Sequence, residues 1–447
     1  MKSGFARECI NPKLGTPIVG YYEERYTRGI LDDVYLTAVS FVDGDNAALI
    51  YSIEVCELST PQCDRFRDAV SKATGVARDA IFINCSHSHT AAMVGEVGAL
   101  GTPMRSYEYE EYLFDVFVRV GLSALEDASE AKFFYCENEA HGISFIRRYR
   151  MKNGGVQTNP GVGNPEIDHP LGTPNEMAKM IRIQREGKKS IAVISYGTHA
   201  DSVGGDLISG DYPGLTRNLC EKTFDNTVCI FLTGAQGDVN HVNVNPTPEE
   251  RARLDYSFFD GPRGYEHTKF MAKTIIDALE KVNSLAKEIP SESIKFVSKE
   301  FFVPSNQENH RLDEARAIVK LYNENRKDEI PFTGMELTTV IAEACRIVNL
   351  ENGPEGYIHR VFAINVGNAV FVGIPGELFT EVGRRAEAIS PYEATFILCL
   401  TNGGDCYFPT SSAYDEGGYE ARSSVLKKGV DNIVIDTLKK VYKELEG

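Results

Sequence analysis

The chain has 447 residues, 42% of them hydrophobic and 25% charged, which is typical of a folded protein with a large core and excludes a disordered chain. Lys and Arg total 47 and Asp and Glu total 64, so the formal net charge is −17. A surface this acidic repels phosphate backbones and anionic lipid heads, so we expect no nucleic-acid partner. No apolar run approaches the ~20 residues that a membrane helix needs, so we expect no stable membrane insertion.

The ten cysteines are scattered along the chain and form no CxxC pair. Several lie in apolar, strand-like segments such as FINCS and FILCL, which is typical of reduced, buried thiols. The N-terminal segment MKSGFARECINPKLGTP lacks the apolar stretch of a secretory signal. These observations predict a cytoplasmic protein without a disulfide framework.

Strand-like and helix-like segments alternate along the sequence. Short segments rich in Val, Ile and Phe predict strands at 36–42, 47–53, 80–84, 132–136, 180–184, 190–196, 227–232, 294–302, 360–366, 369–373 and 395–400. Apolar residues at three- and four-residue spacing predict helices at 59–74, 107–127, 214–222, 264–284, 310–325, 334–351, 378–389 and 425–445.

This mixture predicts an α/β fold, with a mixed-sheet α+β fold as the alternative. We expect a single large sheet-centred domain over residues 1–447 with helical insertions. Residues 150–178 are rich in Gly, Pro and Asn and show no clear period, which predicts a long surface loop. Residues 305–355 form a charged, helix-rich insertion between two strand patterns, either a lid or a peripheral hairpin.

The most informative motif follows the strand predicted at 80–84. It reads Ser86-His87-Ser88-His89-Thr90. In an extended segment, histidines two residues apart point the same way. One metal could then contact both rings, or one ring could bind the metal while the other carries protons. A pair of exposed loop histidines is the alternative for an isolated motif of this kind.

Three further strand ends carry polar groups. His199 follows the strand at 190–196, Glu377 lies at a strand–turn–helix junction, and the segment Gly403–Tyr407 follows the strand at 395–400. Ligands of open α/β sheets bind beyond the carboxyl ends of the strands, so these groups are placed to converge. Two His, one Glu and a further oxygen donor suit Zn²⁺. Taken singly, Glu377 could be a carboxylate favoured at a helix N-terminus, and Tyr407 a core aromatic.

At this point the sequence resembles the catalytic domain of the neutral/alkaline (non-lysosomal) ceramidases over residues 4–424. The ordered motifs that carry the resemblance are Ile10-Asn-Pro with Gly15-Thr-Pro-Ile-Val-Gly20, Asp32-Asp-Val-Tyr-Leu-Thr-Ala38, Ser86–Thr90, Ile143-Ser-Phe-Ile-Arg147-Arg148, Gly197-Thr-His199, Ser209-Gly-Asp211, Gly234-Ala-Gln-Gly-Asp-Val239, Pro375-Gly-Glu377, Gly383-Arg-Arg385, Tyr407 and Tyr419-Glu-Ala-Arg-Ser-Ser424. Members of this family are zinc-dependent amidases that cleave the N-acyl bond of sphingoid lipids.

The resemblance implies that His87, His199, Glu377 and Tyr407 bind zinc. It implies that His89 transfers protons while metal-activated water attacks the acyl carbon. Arg147 and Tyr419 would stabilise the oxyanion, and Arg148 is the rival for the role of Arg147.

The sequence also departs from the family. Asn240 and His241 stand where the family motif has Ser-Pro, so a serine at that position is not available here. Asn240 could bind substrate or hold a loop, and His241 could carry protons, contact substrate or lie on the surface. We expect no counterpart of the family's C-terminal immunoglobulin-like domain, since about twenty residues follow the Tyr419 motif. We see no exposed apolar tract suited to extracting a lipid from a bilayer.

We therefore expect a zinc-dependent hydrolase that acts on linear amides, with Zn²⁺ as cofactor and a small-molecule N-acyl substrate smaller or more soluble than long-chain ceramide. A role in sphingolipid metabolism is a weaker implication of the resemblance, and a homo-oligomer is left open. The alternatives are a zinc hydrolase acting on an ester or lactone, and a non-catalytic binding protein of the same fold.

Overall fold

The structure is a computed structural model that describes residues 1–21, 24–97, 104–255, 264–404 and 406–447. The strands are β1 Lys2–Cys9, β2 Pro17–Ile18, β3 Arg25–Tyr26, β4 Gly29–Ile30, β5 Tyr35–Asp43, β6 Asn46–Ile53, β7 Ile81–Cys85, β8 Gly95–Val97, β9 Met104–Ser106, β10 Ser129–Glu139, β11 Phe145–Ile146, β12 Arg148–Met151, β13 Val156–Thr158, β14 Ile167–Pro170, β15 Met177–Arg185, β16 Ser190–Tyr196, β17 Leu207–Ile208, β18 Thr227–Thr233, β19 Val239–Asn240, β20 Lys287–Ile289, β21 Ile294–Pro304, β22 Gly356–Val366, β23 Ala369–Gly373, β24 Glu377–Leu378, β25 Ala394–Leu398 and β26 Tyr407–Phe408.

The helices are α1 Thr60–Thr74, α2 Tyr107–Glu126, α3 Asp211–Thr223, α4 Pro248–Asp255, α5 Tyr265–Asn283, α6 Leu312–Asn323, α7 Gly334–Leu350, α8 Thr380–Ala388, α9 Ser411–Glu416, α10 Tyr419–Ser423 and α11 Val430–Glu446. Within the described residues, no helix combines the length and the apolar character needed to cross a bilayer.

Local sequence explains the clearest helix boundaries. The Ser59 side chain accepts a hydrogen bond from the Gln62 backbone N–H, and the Gln62 side chain accepts one from the Ser59 N–H, so α1 begins with a capping box. The helix ends at Gly75, which adopts the left-handed conformation (φ 78°) that glycine accepts without steric cost.

The larger sheet has the order β18-β16-β15-β10-β1-β5-β6-β7. Its ends are parallel, at β16–β18 and β6–β7, and its centre is antiparallel. The smaller sheet has the order β21-β22-β23-β25, with β23 and β25 parallel. The α/β prediction with a mixed sheet is confirmed, and the structure adds a second sheet packed on the first.

The two sheets lie face to face with helices outside. Neighbouring residues of β5 show the layering: the Ser40 hydroxyl donates to the Ala124 carbonyl of α2, while the Phe41 ring lies 6.0 Å from Phe371 of β23. Because successive side chains of a strand point to opposite faces, β5 touches a helix on one side and the second sheet on the other. The core between the sheets is therefore hydrophobic.

Residues 150–178 are not the long loop that their composition predicts. They contain most of a three-stranded sheet with the order β13-β12-β14, in which Arg148 pairs with Thr158 and Tyr149 with Pro170. These strands have only three or four residues each, which is too short to show an alternating pattern in the sequence.

Candidate active site

The candidate site lies where strands of both sheets end. His87 follows β7, His199 follows β16, and Glu377 begins β24, just after β23. His87 has a φ of 64°, so the segment after β7 turns sharply and is not the extended segment expected for the His87–His89 pair. A positive φ is sterically costly for a residue other than glycine, and strain of this kind is typical of functional sites.

Three buried side chains converge on one point. His87 Nε2 lies 3.1 Å from His199 Nε2, and Glu377 Oε2 lies 3.4 Å from His87 Nε2 and 3.3 Å from His199 Nε2. Tetrahedral ligands about 2.0–2.1 Å from a zinc ion lie about 3.3–3.4 Å from one another. The three atoms therefore have the spacing of a zinc site.

The hydrogen bonds of the two rings test this fit further. His87 Nδ1 lies 3.0 Å from the Cys56 carbonyl oxygen, and His199 Nδ1 lies 3.1 Å from the Gln236 carbonyl oxygen. A carbonyl only accepts, so both Nδ1 atoms carry a proton, and both Nε2 atoms face each other and the Glu377 carboxylate. Burial alone would lower the pKa of His87, but Cys56 and Glu377 outweigh it and raise that pKa well above its usual value, so a positive charge is favoured at this point. A metal cation meets the same demand, and orientation of a ligand histidine by a carbonyl is typical of metal sites. The residues therefore fit a zinc ion.

A second group of possible ligands, Cys56, His87 and His89, lies beside the first. Its sulfur is 3.7 Å from His87 Nδ1, the nitrogen already engaged by the Cys56 carbonyl. Burial raises the pKa of the Cys56 thiol. The geometry therefore favours the His87–His199–Glu377 group.

Arg147 and Tyr407 border this group. Arg147 Nη1 lies 3.3 Å from His199 Nε2, and Nη2 donates to the Tyr407 hydroxyl at 3.0 Å. Tyr407 and Glu377 are register partners in the parallel pair β24–β26, so backbone pairing places their Cα atoms side by side. The rings of Tyr407 and Tyr419 lie 5.7 Å apart, edge to face. Asp405, in the segment before Tyr407, lies outside the described residues.

His89 is buried and adjoins the cluster. Its Nε2 lies 3.3 Å from His87 Nε2, and its buried Nδ1 has no hydrogen-bond partner among the described residues. Burial and the neighbouring His87 lower the pKa of His89 to about 3, so its ring is neutral at pH 7. The Tyr21 ring packs edge-on against it, with centroids 5.1 Å apart.

The electrostatics keep one negative charge at the centre. Burial alone would raise the pKa of Glu377, but His87 and Arg147 outweigh it and lower that pKa below its usual range. Burial and Arg147 lower the pKa of His199 well below its usual value. Burial and Glu377 raise the pKa of Tyr407 well above its usual value, so the phenol keeps its proton unless a cation is bound.

The structure separates the two arginines. Arg148 turns away from the histidines and donates from Nη2 to Glu416 Oε2 at 3.1 Å and to the Gly417 carbonyl at 2.8 Å. Arg147 is therefore the arginine that faces the cluster.

Asn240 and His241 lie nearby but outside the convergent group. The Asn240 side chain donates to Asn159 Oδ1 at 3.0 Å and accepts from the Val242 N–H at 3.0 Å, so it ties two loops together. His241 Nδ1 lies 2.9 Å from Asp201 Oδ1. His241 thus reaches the site only through Asp201, which follows His199 by two residues.

Sequence reasoning missed residues that support the others. The Gln236 side-chain amide donates to Glu377 Oε2 at 3.2 Å, and the Gln236 backbone carbonyl accepts from His199 Nδ1. Asp238 accepts from the Thr380 N–H at 2.7 Å and so anchors the start of α8, just after Glu377. Both residues belong to the quoted motif Gly234–Val239, and that motif was the available signal.

No protein-family model matches the sequence, and no curated protein matches it. Solved structures do match the fold, among them two ceramidases. The neutral ceramidase from Pseudomonas aeruginosa has a TM-score of 0.72 and 15% sequence identity, over 99% of this chain and 74% of that one. A ceramidase complexed with C2 has a TM-score of 0.72 and 13% identity, over 100% of this chain and 75% of that one. The chain therefore has the fold of the neutral ceramidases, as the motif resemblance predicts.

Proposed function

We propose that this protein is a zinc-dependent hydrolase that cleaves an N-acyl (amide) bond. The observation that carries the proposal is the convergence of His87 Nε2, His199 Nε2 and Glu377 Oε2 within 3.4 Å of one another. His87, His199, Glu377 and Tyr407 would hold the ion. When bound, zinc supplies a Lewis acid that lowers the pKa of a water molecule and polarises a carbonyl group.

His89 is the residue placed to move protons. It is neutral at pH 7, it adjoins His87, and its buried Nδ1 lacks a partner in the described structure. In our proposal it takes a proton from the attacking water and gives it to the nitrogen of the leaving amine. An amide needs that second transfer, because an amine anion is a poor leaving group.

Arg147 and Tyr419 are the donors proposed for the developing oxyanion. The Arg147 guanidinium is buried, and its charge already faces His199 and Tyr407. The Tyr419 ring stands at the edge of Tyr407. Buried donors aimed at the position of the developing charge are worth about 3–4 kcal/mol each.

A cavity with both polar and apolar side chains lies beside Asp201, two residues after His199. A cavity of about 420 Å³ is lined by Asp201, Ser202, His241 and Arg251 together with apolar residues such as Val242 and Leu254. His241 Nε2 has no hydrogen-bond partner among the described residues, because only Nδ1 is engaged. A short N-acyl compound with a hydroxyl or carbonyl group would pair with His241 while its apolar part contacts Val242 and Leu254. This is the substrate class that we propose, smaller or more soluble than long-chain ceramide.

The proposal also covers the location and the domain organisation of the protein. All ten cysteines are free thiols, nine of them buried or half-buried, which favours the cytoplasm. We propose one catalytic domain over residues 1–447 with residues 305–355 as a helical insertion, since α6 and α7 pack on each other and α7 packs on α10. A homo-oligomer and a role in sphingolipid metabolism stay predictions.

The test is hydrolysis of matched N-acyl amides and esters by the zinc-loaded protein. We expect the amides to be cleaved, with short, polar acyl compounds preferred to long-chain ceramide. His87→Ala and Glu377→Ala should abolish turnover, while His310→Ala, at an exposed histidine far from the cluster, should leave it unchanged. Preference for esters or lactones would support the alternative reaction. Tight binding without turnover would support a binding protein and contradict the proposal.

A further inference from the structure

The most deeply buried carboxylate beside the site belongs to Glu420, in α10 directly after Tyr419. Its side chain is fully buried. It accepts from Arg147 Nε at 2.6 Å and from the Thr158 hydroxyl at 2.8 Å, and Arg148 Nε lies 3.7 Å away. Two arginines and a hydroxyl thus satisfy one buried negative charge, and within the described residues Glu420 forms no hydrogen bond or ion pair with His87 or His199.

The contact between Glu420 and Arg147 also fixes the orientation of the guanidinium. A guanidinium is a rigid plane with five N–H donors, so holding one edge sets the direction of the others. Glu420 takes Nε, and Nη2 then donates to the Tyr407 hydroxyl and to the Gly237 carbonyl, both at 3.0 Å. Nη1 is left facing His199 Nε2.

The helix that carries Glu420 is itself held from behind. Arg422 donates to Glu343 of α7 at 2.7 Å and to Glu336 at 2.9 Å, and Arg346 of α7 donates to the Arg422 carbonyl at 2.7 Å. The Tyr419 N–H donates to the Thr158 hydroxyl, which also bonds Glu420. Tyr419 and Glu420 therefore sit on one short helix fixed on both sides.

We propose that Glu420 is a positioning residue that orients the Arg147 guanidinium toward Tyr407 and the substrate carbonyl. This inference rests on the proposed function of Arg147, since Glu420 acts only through that side chain. The insertion at 305–355 then has a structural role, because its helix α7 holds α10, and with it Tyr419 and Glu420, in place.

Glu420→Gln keeps the shape of the side chain and removes its charge. We expect kcat to fall at least tenfold with KM changed less than threefold, and bound zinc per chain to stay the same. Glu420→Asp, which restores the charge on a shorter stem, should recover part of kcat. The matched control is Glu416→Gln, which removes a carboxylate from Arg148 and should leave kcat within threefold of the wild type.

A double-mutant cycle separates positioning from general destabilisation. If Glu420 acts through Arg147, adding Glu420→Gln to Arg147→Lys should cost less than about twofold in kcat, because the oriented donor is already lost. Full multiplication of the two losses, or an unchanged kcat in Glu420→Gln alone, would overturn the proposal.

A readout that needs no turnover keeps this inference distinct from the proposed function. The Arg147 Nε–H resonance, identified by its absence in Arg147→Lys, should exchange slowly with solvent in the wild type and in Glu416→Gln. It should exchange at least tenfold faster in Glu420→Gln, or in Glu420→Asp if the first variant does not fold. Slow exchange in a wild type that hydrolyses no N-acyl substrate would contradict the proposed function and still support the positioning role of Glu420. Equal exchange in all variants would defeat the positioning.

Discussion

Glu377 and Tyr407 are register partners in a parallel pair of two-residue strands, β24 and β26. The pairing is made by backbone groups: the Glu377 N–H donates to the Cys406 carbonyl at 2.8 Å. Backbone pairing alone therefore makes the Cα atoms of these two proposed ligands neighbours. The relationship implies that either side chain can be altered without moving the other's backbone.

Tyr407→Phe should therefore weaken metal binding while the fold persists. The variant removes the fourth proposed ligand and the acceptor for Arg147 Nη2, and it keeps the β24–β26 pairing. We expect zinc affinity to fall at least tenfold in a chelator competition, with a loss of about 1–3 kcal/mol in unfolding free energy from the charged hydrogen bond. Unchanged zinc affinity would remove Tyr407 from the ligand set.

Arg147→Lys should cost about 100-fold in kcat, because a lysine cannot hold Tyr407, Gly237 and Glu420 at once and still face the substrate. Arg148→Lys is the control. It loosens contacts with Glu416 and Gly417 and should leave kcat within a few-fold of the wild type. Steady-state kinetics on both variants check the assignment, and the reverse order of losses would contradict it.

Gly20→Ala should displace His89. Gly20 has a φ of 115°, and an added Cβ would lie 2.7 Å from His89 Cγ and 2.9 Å from its Cα. We expect at least a tenfold loss of kcat with zinc content unchanged. Gly15→Ala is a matched control, since Gly15 also has a positive φ (83°) but nothing within 4 Å of the added atom. Equal effects of the two substitutions would show that backbone strain, and not contact with His89, causes the loss.

The His241–Asp201 pair should make stability depend on pH. Burial alone would lower the pKa of His241, but Asp201 and Asp211 outweigh it and raise that pKa above 6.5, although the His267 ring lies 5.6 Å away. Burial alone would raise the pKa of Asp201, but His241 outweighs it and lowers that pKa to about 2. The stabilisation that His241 contributes to the free energy of unfolding is present below pH 6.5 and is lost as the pH rises through its raised pKa. The aspartate's contribution is present above pH 3.8 and is lost as the pH falls toward 2.

Asp201→Asn checks this directly. The His241 pKa, followed by imidazole NMR, should drop in the variant. The difference in unfolding free energy between wild type and variant should be largest between about pH 4 and 6.5 and decline above that window. A His241 pKa that does not respond to the substitution would contradict the ion pair.

Many of the strands and helices could be predicted from the sequence. Long apolar runs such as those of β16 and β18 carry a strong strand signal, and the periodic segments of α1, α2 and α5 carry a strong helix signal, so these elements match the predictions within a few residues. The positions of His87, His199 and Glu377 at strand ends predicted that they would lie close together.

Other features depend on contacts that no local pattern encodes. The strands β12 to β14 and the pair β24–β26 are too short to alternate, and pairing across the fold defines them. The turn at His87, with its positive φ, overrides the extended conformation that the His-Ser-His spacing predicts. Glu and Gln are common on protein surfaces, so residue type alone does not single out Glu420 and Gln236. Their contacts with Arg147 and Glu377 in the folded chain reveal their supporting roles.

X-ray absorption at the zinc K-edge of the purified, zinc-loaded protein tests the central claim most directly. We expect one zinc per chain, two imidazole nitrogens and oxygen ligands at about 2.0–2.2 Å, and no sulfur scatterer at about 2.3 Å. His199→Ala should bind less than a tenth of the wild-type zinc under the same conditions. Failure of the wild type to retain zinc, or a sulfur ligand from Cys56, would contradict the account.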